Sequence, residues 1–185
     1  PHQGVCADVI ATLEGATRED VDRLALESQK RAARAIEGGY FRKSLVPVLN
    51  DDGTVALDHD EYPRPQTTLE GLAKLPTVFS NFMAMPVDAT GETFDDLVRR
   101  VHPDIRLNHV HHAGNSSGVV DGSAAILLSS PEYAERQGWK PRARVVAMAN
   151  AAGSPELMLN EPVPAARKVL AKAGMTLDDI DLIEV

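Results

Sequence analysis

The chain has 185 residues, 43% hydrophobic and 25% charged, a composition that suits one or two globular domains with a buried core. Its net charge of −8 argues against sequence-blind binding to nucleic acid, which needs an excess of Lys and Arg to neutralise phosphates. A single cysteine, Cys6, excludes an internal disulfide and a Cys-rich zinc site.

A short helix is expected over Ala7–Leu13. The clearest element follows at residues 17–38. Thr17 offers an N-cap with Asp20 three residues on, and Gly38-Gly39 ends the run. Val21, Leu24, Ala25, Ser28, Ala32, Ala35 and Ile36 recur at helical spacing and predict the packed face. Residues 45–58 read as a β-hairpin, two apolar runs joined by Asn-Asp-Asp-Gly. Pro63 and Pro65 bracket Arg64 and force an extended path. Thr67 or Thr68 then caps a short helix to Leu75, residues 76–92 read as loop, and residues 93–101 as another helix.

The pattern changes after Arg106. Strands are expected at 123–130, 142–151 and 180–185, alternating with helices at 131–138 and 162–174. That alternation indicates an α/β layer architecture. No apolar run reaches the ~20 residues that span a bilayer, and a cytoplasmic location is the default expectation. The opening Pro1 and the apolar run that stops at Val185 suggest a piece of a longer protein.

The stretch HVHHAGNSSGVVDG, residues 109–122, carries the most chemistry. In an extended segment His109 and His111 share one face and His112 points to the other. Two imidazoles are half of a zinc site, yet no second His or Cys pair falls at metal spacing. Histidines lining a partly buried polar cleft are the better reading, and no metal is assigned. Gly114 and Gly118 permit close backbone approach, and Ser116 and Ser117 offer hydroxyls to a polar ligand or to a tight connection. Arg64, stiffened by its prolines, can stack on a base, meet a phosphate, or pair with Asp60 or Glu61. Cys6 has Asp8 nearby, which works against thiolate formation, and reads as a packed thiol.

Taken in order, PHQGVCADVIA, TREDVDRLALESQKRAARA, LDHDEYPRPQTTLEGLAKL, HAGNSSGVVDGSAA and AGMTLDDIDLIEV resemble the middle of a thiolase, an acetyl-CoA acyltransferase. The resemblance runs through essentially the whole chain. It implies a partial thiolase-like layered α/β fold: a largely helical loop domain at residues 1–105, the end of the first βαβαβαββ core half at 106–141, and the start of the second half at 142–185. It also implies acyl transfer to or from coenzyme A, by thiolysis of a 3-ketoacyl-CoA or the reverse Claisen condensation, in a homodimer or homotetramer. By the same resemblance Ala113 and Ser117 match pantetheine contacts, and Arg64 matches a residue that packs on the adenine. His2 and Gln3 match the substrate pocket near the thioester end, with Gln3 standing where biosynthetic members carry Met. Coenzyme A or acyl-CoA is then the substrate, with no other cofactor. The family's nucleophilic Cys, activating His, second Cys and NEAF Asn have no counterpart among these residues, so no catalytic residue is assigned here. A non-catalytic acyl-CoA or lipid-binding member of the same superfamily is the alternative.

Overall fold

The structure, a computed structural model, describes residues 2–185 and divides into two compact units, residues 1–120 and 121–185. In the first unit, α1 runs over Gln3–Glu14 and α2 over Arg18–Glu37. The helix expected at Ala7–Leu13 thus begins a turn earlier. His2 is the reason: its Nδ1 accepts the Gly4 N–H at 3.1 Å and caps the first turn. At the other end Gly15 takes φ 71°, a left-handed stop that suits glycine.

Between α1 and α2, Thr17 and Asp20 form a reciprocal capping box. The Thr17 N–H donates to the Asp20 carboxylate at 2.8 Å, and the Asp20 N–H to the Thr17 Oγ1 at 3.2 Å. The packed face of α2 keeps part of the expected stripe, with Val21, Ala25, Ala32 and Ala35 half-buried, and loses the rest. Leu24, Ser28 and Ile36 are exposed, and the one fully buried residue is Asp22. The helix is turned so that Arg18, Asp22, Ala25 and Gln29 face inward. Polar anchors rather than aliphatic bulk set its orientation, because Asp22 and Gln29 each meet a buried or loop-borne donor described below.

The hairpin is short: β1, Val48–Leu49, pairs antiparallel with β2, Val55–Leu57. The turn closes through the Asn50 N–H on the Thr54 carbonyl, with Gly53 at φ 83°. α3 spans Leu69–Ala73, capped by Thr68, and α4 spans Phe94–Val101 with a second capping box from Thr93 and Asp96. The expected loop at 76–92 holds a 3₁₀ turn at Phe79–Phe82. Val5, Cys6 and Val9 of α1, Leu72 of α3, Val98 of α4 and Val110 form the buried apolar core of this unit.

The second unit has α5, Pro131–Arg136, with proline in its first turn, and α6, Pro162–Ala173, ended by Gly174 at φ 67°. The Lys168 and Lys172 ammonium groups donate to the Asn150 and Met148 carbonyls, which fastens the 148–150 segment to α6. The three strands expected at 123–130, 142–151 and 180–185 are not formed among the described residues. A strand is defined by its ladder, and no neighbouring strand pairs with these segments. Their apolar side chains stand open instead, with Ile126 86% exposed and Leu182 90% exposed.

Candidate functional site

The segment from Asn108 to Asn115 is laid along α1 and α2 by two buried carboxylates. Asp8 is wholly buried and accepts four hydrogen bonds from this segment. They come from the Val110 N–H at 3.1 Å, the His111 N–H at 3.2 Å, and the Nδ1 atoms of His109 and His111, each at 2.7 Å. One turn along α1, the Thr12 Oγ1 accepts the Asn108 N–H. The segment is extended here, so His109 and His111 reach the same carboxylate while His112 turns away. Burial pushes Asp8 upward, but the hydrogen bonds from His111 and His109 and from the two backbone amides outweigh it. The carboxyl therefore lies below its ordinary value.

His112, also wholly buried, meets the second carboxylate. Its Nε2 lies 2.8 Å from Asp22 Oδ1, and its Nδ1 accepts the Gly114 N–H at 3.0 Å. An Nδ1 that accepts carries no proton, so the ring is the neutral tautomer with its hydrogen on Nε2, donated to Asp22. Asn115 completes the turn: its Oδ1 accepts the His112 N–H at 2.8 Å, and its Nδ2 donates to Asp22 at 2.9 Å and to the Val110 carbonyl. Burial again opposes ionisation at Asp22, and donors from His112, Asn115 and Arg18 more than compensate, leaving that carboxyl lowered as well. The three imidazoles are thus committed to Asp8 and Asp22. Among the described residues no group of three or more His, Cys, Asp or Glu is arranged to hold a metal.

The turn so fixed forms one side of a cleft of about 460 Å³, where Ala113, Gly114 and Ser116 face Leu72, Leu75 and the 62–68 segment. Arg64 lines the same cleft. Its backbone N–H donates to the Gln29 Oε1 at 2.7 Å. Its guanidinium folds onto the carbonyls of Glu61, Tyr62 and Pro63, with the Tyr62 ring centroid 5.6 Å away, instead of pairing with the Asp60 or Glu61 carboxylates. Arg64 and Ala113, far apart in sequence, therefore converge on one cavity. Ser117 is exposed beside it, and Ser116 is the hydroxyl that lines it.

The glycines of this turn have intramolecular neighbours. A Cβ on Gly114 would lie 2.7 Å from both Leu72 Cδ2 and Leu75 Cδ1, and one on Gly118 would collide with the Tyr62 ring. Close approach is made by the chain's own side chains at these two positions, where the sequence left a ligand and a tight connection both open.

His2 and Gln3 lie apart from the cleft residues. The His2 ring stands 4.3 Å from Phe82, 5.5 Å from Phe79 and 6.4 Å from Phe94 between centroids, an aromatic cluster at the start of α1. Gln3 is exposed, and Cys6 is buried. The residues that sequence reasoning missed are Asp8, Asp22 and Gln29. For Asp22 and Gln29 the one signal was a polar side chain at helical spacing with Ala25 on α2; Asp8, on α1, had none.

Comparison with known proteins matches both ends of this chain to one class of protein, the thiolases. Residues 1–84 match the family described as "Thiolase, N-terminal domain" and residues 139–185 match "Thiolase, C-terminal domain". The 3-oxoadipyl-CoA/3-oxo-5,6-dehydrosuberyl-CoA thiolase of Escherichia coli K12 is 41% identical over 182 residues, 97% of this chain and 39% of its own length. The mitochondrial 3-ketoacyl-CoA thiolase of Mus musculus is 38% identical over 184 residues, 98% of this chain and 40% of its own. The acetyl-CoA acetyltransferase of Bacillus anthracis superposes with a TM-score of 0.77 at 34% identity, covering 97% of this chain and 39% of that one. Human mitochondrial 3-ketoacyl-CoA thiolase in complex with CoA superposes with a TM-score of 0.76 at 32% identity, covering 96% and 38%. The chain belongs to the thiolase family and has a partial thiolase fold. It spans about two fifths of the length of the relatives it matches. No helix among the described residues is long and apolar enough to cross a membrane.

Proposed function

We propose that this chain contributes the coenzyme A channel of a thiolase that moves acyl groups to or from coenzyme A, by thiolysis of a 3-ketoacyl-CoA or the reverse condensation. The observation that carries the reading is the convergence of Arg64 and Ala113 on one cleft, at positions that match adenine and pantetheine contacts of the family. A coenzyme A complex among the structural relatives supports the same ligand class.

On this reading the Arg64 guanidinium, stiffened by three backbone carbonyls, presents its flat face to the adenine. The Ala113–Ser117 turn runs beside the pantetheine arm, where small side chains leave room for a thin, amide-bearing chain. His2 and Gln3 border the thioester end, and the neighbouring phenylalanines give that end an apolar wall. Residues 1–105 form the loop domain, 106–141 close the first core half, and 142–185 open the second. The acyl-accepting Cys, its activating His, the second Cys and the oxyanion Asn belong to parts of the enzyme outside residues 1–185, so this chain by itself carries no covalent step. A cytoplasmic location and a homo-oligomeric assembly complete the reading.

The test is made on the full-length protein. Calorimetric titration with coenzyme A and a thiolysis assay on a 3-ketoacyl-CoA are expected to be positive, with Arg64→Ala weakening coenzyme A. Absence of coenzyme A binding by the full-length protein contradicts the reading.

A further inference from the structure

Two parts of the cleft lining, the turn after His112 and the end of α3, are tied to one buried carboxylate. Asp22, with its side chain 2% exposed, binds the turn through His112 Nε2 at 2.8 Å and Asn115 Nδ2 at 2.9 Å. It also holds Arg18 one helical turn back, Nε to Oδ2 at 2.9 Å. The remaining end of Arg18 reaches the end of α3, where its Nη2 donates to the Leu72 carbonyl at 2.7 Å and the Leu75 carbonyl at 2.8 Å. Leu72 and Leu75 line the cleft together with Ala113 and Gly114, and Gly114 lies close against both leucines. A continuous chain of hydrogen bonds therefore runs from the C-terminal end of α3 through Arg18 and Asp22 to the Ala113–Ser116 turn.

We infer that Asp22 is a positioning residue for the pantetheine arm: with Arg18 it fixes the turn in register against the end of α3. The inference rests on the proposed coenzyme A channel and adds a residue to it. Geometry excludes a direct contact as the basis of the effect, since Asp22 is sealed beneath the turn and does not line the cleft. The charge is what the arrangement requires. Three donors on two oxygens need an acceptor-only group, and an amide in its place turns an N–H toward the donors of Arg18 or His112. The adenine side is held separately. Arg64 is fixed through Gln29 and its own neighbouring carbonyls, none of which touches Asp22. Disturbing Asp22 should thus loosen one half of the ligand and spare the other.

The experiment titrates the full-length protein with coenzyme A and, separately, with its nucleotide half alone, adenosine bisphosphate. Asp22→Asn is expected to weaken coenzyme A about tenfold, the scale of one lost charge-assisted hydrogen bond, while the nucleotide binds as before. Arg18→Lys keeps the charge opposite Asp22 but cannot reach two carbonyls at once. It is expected to show the same split at smaller size, and it decides the matter if Asp22→Asn fails to fold. Unchanged coenzyme A affinity in the folded variants, or equal losses for both ligands, overturns the inference while leaving the proposed function standing. If the unsubstituted protein binds neither ligand, the proposed function falls and the inference falls with it.

Discussion

His111 Nδ1 lies 2.7 Å from the buried Asp8 Oδ1, and the same carboxylate also receives His109 and two backbone amides. A single aspartate on α1 thereby takes up the polar groups of an extended segment, the buried Val110 N–H and the partly buried His109 and His111 among them. The cost of removing it follows from that count, because an unpaired buried donor loses its water without compensation.

Asp8→Asn is expected to destabilise the protein by roughly 3 kcal/mol, since the amide turns one N–H toward donors and removes the charge that strengthens the others. Chemical denaturation of the full-length protein measures this. A loss below about 0.5 kcal/mol, the scale of an ordinary surface substitution, contradicts it.

Acid should unfasten the same segment. Asp8 and Asp22 both have lowered carboxyls in the folded protein, so their contribution is fully present above the unfolded carboxyl value of about 3.9. It is lost as pH falls below that value and through the lowered folded one. Denaturation midpoints measured from neutrality down to pH 3 are expected to drop most steeply below about pH 4, and less steeply in Asp8→Asn. An identical acid profile in the variant contradicts this assignment.

Gly118→Ala should be destabilising because the new methyl group meets the Tyr62 ring. The atoms met are the far end of an exposed side chain that can give way, so the cost is expected to be about 1 kcal/mol or less. The specific expectation is coupling: in a Tyr62→Ala background the penalty of Gly118→Ala should largely vanish, as read by a double-mutant cycle. A penalty that persists there places the strain in the backbone instead of the ring.

Arg64→Ala is expected to reduce coenzyme A affinity about tenfold or more, with Arg64→Lys recovering little. Lysine presents a point charge without the flat face of a guanidinium, which the Nη1 bonds to the 61–63 carbonyls hold in place here. Full recovery by lysine would mean that charge alone matters at this position.

The helices were legible because their signals are local. Thr17 with Asp20 and Thr93 with Asp96 close their capping boxes within four residues, and the Asn-Asp-Asp-Gly turn needs only its flanking runs. The strands after residue 120 were legible as apolar segments but not as paired ones, because a ladder depends on a neighbour that periodicity does not reveal. Part of the α2 face, Leu24, Ser28 and Ile36, was misread for a related reason. Leu24 and Ile36 look like core residues in the sequence, yet Asp22 turns toward His112 and Asn115, about 90 positions away. Arg64 and Ala113 could be named from the resemblance. Asp8, Asp22 and Gln29 could not, since an isolated polar residue on a helix reads as solvated until its distant partner is known.

Amide hydrogen exchange of the full-length protein, with and without coenzyme A, addresses the channel most directly. Protection on adding ligand is expected in two separate stretches, residues 62–68 and 112–117, with the described parts of α4 and the hairpin unchanged. Protection confined to other regions, or none at saturating coenzyme A, would contradict the placement of the ligand between Arg64 and the Ala113–Ser117 turn.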